Sequence, residues 1–501
     1  MEASLKKWRI SRFTKVYSSV FTGESSSEMV VPDTQPDISE IITQSGVVLL
    51  RSKTTENGKI SLGAEVAACV VYAPEGESAL RTVHLQIPFA AEAQCADVTE
   101  ECRTVALLRL VGIEARAAGS RRVSVRVEVE ISIDSYKPET LELAQGTDEP
   151  EGAALHAKTE EAEISVITDV REKTFSVTDE FRPALGLRGV REVLGYSAYL
   201  RLDEMKPMGE RLSLRGSVES SLLCAAGEEL SPVELTYSTP VSLLMETDEL
   251  PDSADAFYRA MLTAAYFEPI TDADGNRAIS MEVRLVVQAV CSASVSGEVL
   301  SDVYSNRLIC TPQMQNTALE KTERRLVLRE NCRGTVKTAV PVSEVVSVRA
   351  SVAGIEESAE KTVVSVRARA VFTSEDKRYC GASARLSVEF ETAQEGTLSF
   401  KSERAYIAEL FASPCAEGIE LRIPTELEGC VISEYSVRSV SEIELSEPEE
   451  NAKPKPSAVF IPCEGEYDAW ELAKRYSSTR ELIAQANPDF AGGMLLIPRE
   501  V

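Results

Sequence analysis

From Val123 to Ile131 apolar and polar residues alternate without a break, in Val123-Ser124-Val125-Arg126-Val127-Glu128-Val129-Glu130-Ile131. Successive side chains of a strand point to opposite faces, so this stretch predicts a strand with one dry and one wet face. The same pattern fills most of the chain, and sheets wetted on one side are normally antiparallel. The predicted fold class is mainly β: three tandem antiparallel β-rich domains, then a small βααβ domain on a proline-rich linker.

The alternation also repeats at long range. Strand-like runs begin at Lys59-Ile60-Ser61-Leu62, Arg211-Leu212-Ser213-Leu214 and Val363-Val364-Ser365-Val366, and Ile60, Leu212 and Val364 are spaced by 152 residues each. Pro88 and Pro240 keep the same spacing, whereas the third copy lacks that proline. Each copy closes in a predicted hairpin: Val105 to Ala115 with Arg122 to Ile133, Phe257 to Pro269 with Ala278 to Ala289, and Arg404 to Phe411 with Ile419 to Ile423. The period is too long for a solenoid unit of about 20 to 50 residues, so each copy is expected to hold its own core. The expected domains span 16–150, 160–300 and 301–445, set like beads, with edge strands offering a route to self-association.

Residues 446–457 change character, with Glu447, Pro448, Glu449, Glu450, Lys453, Pro454, Lys455 and Pro456 close together. Proline opposes both helix and sheet, so an extended tether is expected, on which a last domain, 458–501, swings. In that domain Val459-Phe460-Ile461 reads as a strand. Asp468 caps a first helix carrying Leu472, Ala473 and Tyr476. Ser478-x-x-Glu481 opens a second, with Leu482, Ile483 and Ala486 inward, which Asn487-Pro488 stops. Gly492-Gly493 turns the chain into a closing strand, Met494 to Pro498.

The run Trp470-x-Leu472-Ala473-x-x-Tyr476, then Leu482, Ala486-Asn487 and Leu496-Ile497-Pro498, resembles the LysM family. That resemblance implies a groove for N-acetylglucosamine polymers between two loops. Carried onto this chain, the groove is lined by Glu466, Tyr467 and Asp468 on one side and by Asn487, Pro488, Asp489 and Phe490 on the other. Where the family carries Gly-Asp-Thr before its first helix, this chain reads Glu466-Tyr467-Asp468, which weakens the sugar assignment more than the fold. An aromatic ring beside polar groups suits a sugar face or a peptide, and the residues do not choose between them. Trp470 and Asn487 also have purely structural readings, one packing between helices and the other ending one.

Val30-Val31-Pro32-Asp33-x-x-Pro36-Asp37-Ile38, the Gly58-Lys59-Ile60 strand ending in Val70-Val71-Tyr72, and Ile87-Pro88-Phe89 resemble the SPOCS domain of sporulation proteins from endospore-forming Firmicutes. Several such units followed by one LysM domain are similar to spore-coat morphogenetic proteins. The resemblance implies a scaffold in the mother-cell cytoplasm, at the forespore surface or spore coat, whose LysM-like end engages the coat-basement ATPase rather than glycan. The alternative is a peptidoglycan-binding protein of the cortex or cell wall.

Charge changes the picture by exclusion. Lys plus Arg number 53 against 80 Asp plus Glu, a net charge of -27, so nucleic acid is not an expected partner. A basic start, Lys6, Lys7, Arg9, Arg12 and Lys15 around Trp8, Ile10 and Phe13, reads as a solvated lead-in to the first strand or as a membrane-surface segment. Polar residues interrupt any export-signal core there and no transmembrane run follows, so a cytoplasmic chain without an integral membrane segment is expected. Eleven scattered cysteines lack C-x-x-C spacing and suit a reducing compartment, with neither a disulfide framework nor a zinc site.

Only His84 and His156 supply imidazole, and neither lies in a catalytic motif. Asp272-x-Asp274-Gly275 resembles a calcium loop but carries Val283 where a bidentate glutamate belongs, so a hairpin turn is expected. No nucleotide-binding loop occurs. A non-enzymatic protein without metal or cofactor is therefore expected.

Overall fold

The computed structural model describes residues 3–148, 152–182, 189–271, 277–448, 456–488 and 490–499. The fold is mainly β. First come β1 (Leu5–Val30), β2 (Ile38–Glu56), β3 (Lys59–Pro74), β4 (Arg81–Gln94), β5 (Arg103–Gly119) and β6 (Arg122–Thr147). Then follow β7 (Leu155–Phe181), β8 (Val190–Pro207), β9 (Gly209–Ala226), β10 (Ser231–Leu250), β11 (Asp255–Thr271) and β12 (Arg277–Ser305). A third set holds β13 (Ile309–Lys337), β14 (Val342–Glu357), β15 (Lys361–Ser374), β16 (Tyr379–Glu391), β17 (Leu398–Ile407), β18 (Phe411–Cys415) and β19 (Gly418–Ser446). The chain ends in β20 (Ala458–Cys463), α1 (Ala469–Tyr476), α2 (Arg480–Ala486) and β21 (Gly493–Pro498).

One pairing scheme recurs in the three sets. β2, β3 and β4 form an antiparallel meander, as do β8, β9 and β10, and β14, β15 and β16. The first long strand of each set pairs with the last, β1 with β6, β7 with β12 and β13 with β19. The last strand also takes β5, β11, or β17 and β18. Within each set the two sheets enclose an apolar core. Ile60, Val66 and Ile87 meet Val125 to Ile133 in the first; Leu212, Leu222 and Met245 meet Val283, Leu285 and Val287 in the second; Val364, Val366 and Phe390 meet Ile419, Leu421 and Ile423 in the third.

The 152-residue spacing survives in the hydrogen-bond register. Glu65 lies opposite Pro88 and Ser217 opposite Pro240. Ile60 pairs with Ala93 and Leu212 with Met245, but Val364 pairs with the much nearer Val388. The third hairpin is therefore shorter, and Ser383 stands opposite Arg369 where the other two carry proline. The turn expected at Asp272 to Asn276 lies outside the described residues, as does the linker stretch 449–455.

The expected row of beads does not form. Ile42, Leu194 and Val346, again 152 apart, come together with Val71, Leu223 and Val371 in one cluster, so the three sets close around a common centre. Their outward faces are too apolar to be left in water. Between the first two sets, Gln288 is fully buried and acts like a piece of strand at the edge of β5, donating to Ala106 O at 2.8 Å and accepting from Ala106 N at 2.9 Å. At Ala106 that edge is closed to another chain.

The long strands reach beyond the sandwiches. A bulge stands where each pair leaves, between Lys15 and Tyr17, Cys291 and Ser292, and Thr322 and Arg324. An extra residue bends and twists its strand, turning the ribbon toward its neighbours. Past the bulges the three ribbons bundle, burying Ile10, Leu143, Ile164, Val299 and Leu319, and further out Leu300, Val303, Ile443 and Leu445. A lone two-stranded ribbon is marginal in water, and the bundle supplies the missing dry face.

The basic start is part of this bundle. β1 begins at Leu5, before the expected boundary, and its cations face carboxylates on or just beyond β6. Lys7 and Arg9 reach Glu142, at 2.6 and 3.0 Å, Arg12 reaches Glu139 at 2.6 Å, and Lys6 reaches Asp148 at 3.2 Å. Among the described residues no helix is long and apolar enough to cross a membrane.

Candidate functional site

The C-terminal unit is organised by its caps. Asp468 accepts from Trp470 N at 2.9 Å and Glu471 N at 3.2 Å, which begins α1, and Ser477 ends it in the left-handed conformation. α2 is capped by Thr479, whose hydroxyl accepts from Leu482 N at 3.1 Å, one residue later than the expected Ser478. Ser478 is buried, and its carbonyl is taken up by other donors. β20 and β21 pair antiparallel, Val459 opposite Ile497, over a core of Trp470, Ala473, Ile483, Leu495 and Ile497.

The residues expected to line the groove divide into two roles. Gly465, Glu466, Tyr467, Phe490 and Ala491 line an open concavity. Its floor is an aromatic pair, Tyr467 against the edge of Phe490, with centroids 5.6 Å apart and rings at 85°. Asp468 is the helix cap. Asn487 spends its whole amide on the fold, donating to Ile483 O at 2.7 Å and Leu496 O at 2.6 Å and accepting from Leu496 N at 2.8 Å. It ties α2 to β21. Pro488 is exposed but does not line the concavity, and Asp489 lies outside the described residues.

The unit does not swing free; it is seated on the far end of the β7–β12 ribbon. Asp302 accepts from Trp470 Nε1 and Lys474 Nζ, each at 2.7 Å. Tyr304 meets Trp470 edge to face at 4.9 Å and donates its hydroxyl to Ser478 O at 2.9 Å, and Asn306 donates to the same carbonyl at 3.1 Å. His156 stacks on Tyr304 at 4.9 Å and bonds Asn306 at 2.9 Å. Burial raises the Asp302 pKa, but the hydrogen bonds from Lys474 and Trp470 outweigh it, so the carboxyl is held below its usual range. The seat uses one face of α1 and leaves Glu466, Pro488 and Ala491 exposed.

Sequence reasoning missed this seat, because Asp302, Tyr304 and Asn306 are ordinary residues at a strand end. It also missed Phe460 and Met494, both more than half exposed on neighbouring positions of the β20–β21 pair. Their signal was the alternation Val459-Phe460-Ile461, which places Phe460 opposite the core face.

Elsewhere, Cys69 Sγ lies 3.3 Å from His84 Nδ1. Burial pushes the thiol up to about 11 and pulls the imidazole down, so the pair is neutral rather than a thiolate-imidazolium couple. Among the described residues no group of three or more His, Cys, Asp or Glu is placed to hold a metal ion. Comparison with protein families, curated proteins and solved structures finds no match for this chain.

Proposed function

We propose that this chain is a non-enzymatic scaffold for spore-coat assembly, built as three SPOCS-like β domains and a LysM-like domain on a proline-rich linker. It acts in the mother-cell cytoplasm at the forespore surface or coat. The LysM-like domain binds the coat-basement ATPase, and the β domains offer surfaces for self-association. The observation that carries this reading is the Tyr467–Phe490 concavity, bordered by Glu466 where the LysM family carries a polar sugar loop. Two rings at right angles with one carboxylate suit an apolar side chain and a neighbouring cation of a protein partner. Seating on a rigid ribbon bundle also presents that concavity in one orientation, which lowers the ordering cost of binding a large partner.

Peptidoglycan is the second reading, supported by the same aromatic pair, since rings also pack on sugar faces. Titration of the full chain against the coat ATPase and against soluble peptidoglycan fragments separates the two. The scaffold reading expects saturable ATPase binding that Tyr467→Ala weakens about tenfold or more, as for an aromatic anchor at an interface. Saturable glycan binding with no ATPase binding reverses it.

A further inference from the structure

Where the first and third strand sets face each other near the common centre, a half-enclosed cleft opens between β2 and β5 on one wall and β14 and β15 on the other. Its cavity volume is about 100 Å³, room for an anion of a few atoms rather than for a macromolecule. Arginines dominate one wall. Arg349 on β14 lies directly opposite Arg369 on β15, and Arg367 lies directly opposite Arg385 on β16.

Like charges opposite each other destabilise a sheet, and guanidinium groups withdrawn from water without counter-charge cost more still. Counter-charge here is sparse. Arg349 pairs with Glu234 at 3.1 Å and donates to Gly195 O at 3.1 Å. Arg369 donates one bond to Ile113 O at 3.0 Å, and its buried Nε has no partner. Arg367 makes no hydrogen bond or ion pair among the described residues, with Glu114 and Glu128 as the nearby carboxylates. Burial and the adjoining Arg367 pull the Arg369 guanidinium down to about 10, the mark of a cation short of anions.

The two equivalent places carry aromatic rings and compensated ion pairs. Between the first and second sets Tyr196 packs against Phe267 at 5.1 Å, and Arg51 pairs with Glu65 at 3.2 Å. Between the second and third sets Tyr199 stacks on Tyr406 at 5.9 Å, and Arg201 pairs with Glu426 at 2.8 Å. At the 152-residue spacing Arg349 corresponds to Ser45 and Ser197, and Arg369 to Glu65 and Ser217. Arg349 and Arg369 are thus particular to the third set, whereas Arg367 has a counterpart in Arg215 of the second and is replaced by Gly63 in the first; all three arginines line the cleft.

We propose that this cleft binds a small oxyanion, a phosphate or carboxylate group, gripped by Arg349, Arg367 and Arg369 with the hydroxyls of Ser197 and Ser351. Guanidinium forks match the paired oxygens of such groups. In a chain of net charge -27, a local patch of this kind is what admits an anion. The bound anion ties the third set to Ser197 of the second, beside the first-set wall of β2 and β5, and stabilises the closure of the sets.

The test uses the full chain, with inorganic phosphate and succinate as probes and sodium chloride at matched ionic strength as reference. Thermal denaturation is expected to show a saturable rise in Tm with phosphate, succinate or both, beyond that in chloride, and calorimetric titration a single site. Arg367→Gln is expected to weaken the apparent Kd about tenfold or more, and without oxyanion to melt no lower than wild type, because a repulsion is removed. Arg215→Gln, at the equivalent exposed position of the second set, keeps wild-type binding. A Tm unmoved by both probes beyond chloride, or wild-type saturation in Arg367→Gln, overturns the proposal. Arg367 makes no hydrogen bond or ion pair among the described residues, so its variant keeps the test decisive even where Arg369→Gln misfolds.

Discussion

Trp470 donates its indole N–H to Asp302 over 2.7 Å, although 168 residues separate them. The same carboxylate takes both close contacts from Lys474 Nζ, so one acid carries the charged part of the seat, beside the bonds from Tyr304 and Asn306. Asp302→Asn removes the ion pair and is expected to weaken seating by about 1–2 kcal/mol, discounted for the partly exposed Lys474. Faster hydrogen exchange in α1 with the β3 core unchanged is the measurement. The sign with pH follows from the lowered carboxyl: its contribution is complete above the ordinary value of 3.8 and is lost as pH falls through the lower, seated value. The Asp302 contribution is therefore expected to be flat from pH 5 to 8 and to be lost only in strong acid.

Asn487 and Tyr467 should separate folding from binding. Asn487→Ala leaves the Leu496 backbone groups and the Ile483 carbonyl without their partner and is expected to destabilise the C-terminal unit by about 1–3 kcal/mol. Tyr467→Ala is expected to reduce partner binding while the unit stays folded. Circular dichroism melts of both variants beside a binding titration decide it; equal loss of structure in both would remove Tyr467 from the site.

Leu194 is fully buried at the common centre. Leu194→Ala is expected to cost about 2–5 kcal/mol, the range for emptying a well-packed position. Because all three sets meet there, a single broadened or lowered transition is expected, and calorimetry reads it. Loss confined to one of several separate transitions would mean that the sets do not share a core.

Gly381 marks a close approach between β16 and β2. A Cβ built there lies 1.7 Å from the Ile42 carbonyl oxygen, a backbone atom that cannot step aside. Gly381→Ala is expected to part the first and third sets and lower Tm by several degrees. The control is Gly354→Ala, where the nearest atom is 3.9 Å away.

Much of the strand content was legible because its cause is local. The alternation from Val123 to Ile131 becomes a row of fully buried valines and isoleucine on β6, and the spacing of Ile60, Leu212 and Val364 becomes one inward register on β3, β9 and β15. Asp468 caps its helix as its side chain dictates. The groove was half legible: Tyr467 and Phe490 come together, whereas Asp468 and Asn487 are spent on the fold. A polar side chain near a loop reads the same whether it faces a ligand or a backbone amide.

By itself, then, the chain's pattern determined which faces are dry, how often the unit recurs and where the last helices begin, since alternation, period and capping act over a few residues at a time. Only the tertiary structure decided that the three sets close around Ile42, Leu194 and Val346, that Asp302 seats the C-terminal unit, and that arginines front a cleft where the sets meet. Those outcomes depend on which outward faces meet across more than a hundred residues. No local pattern encodes that choice, because it is made by burial and charge balance between surfaces that are separate until the chain has folded.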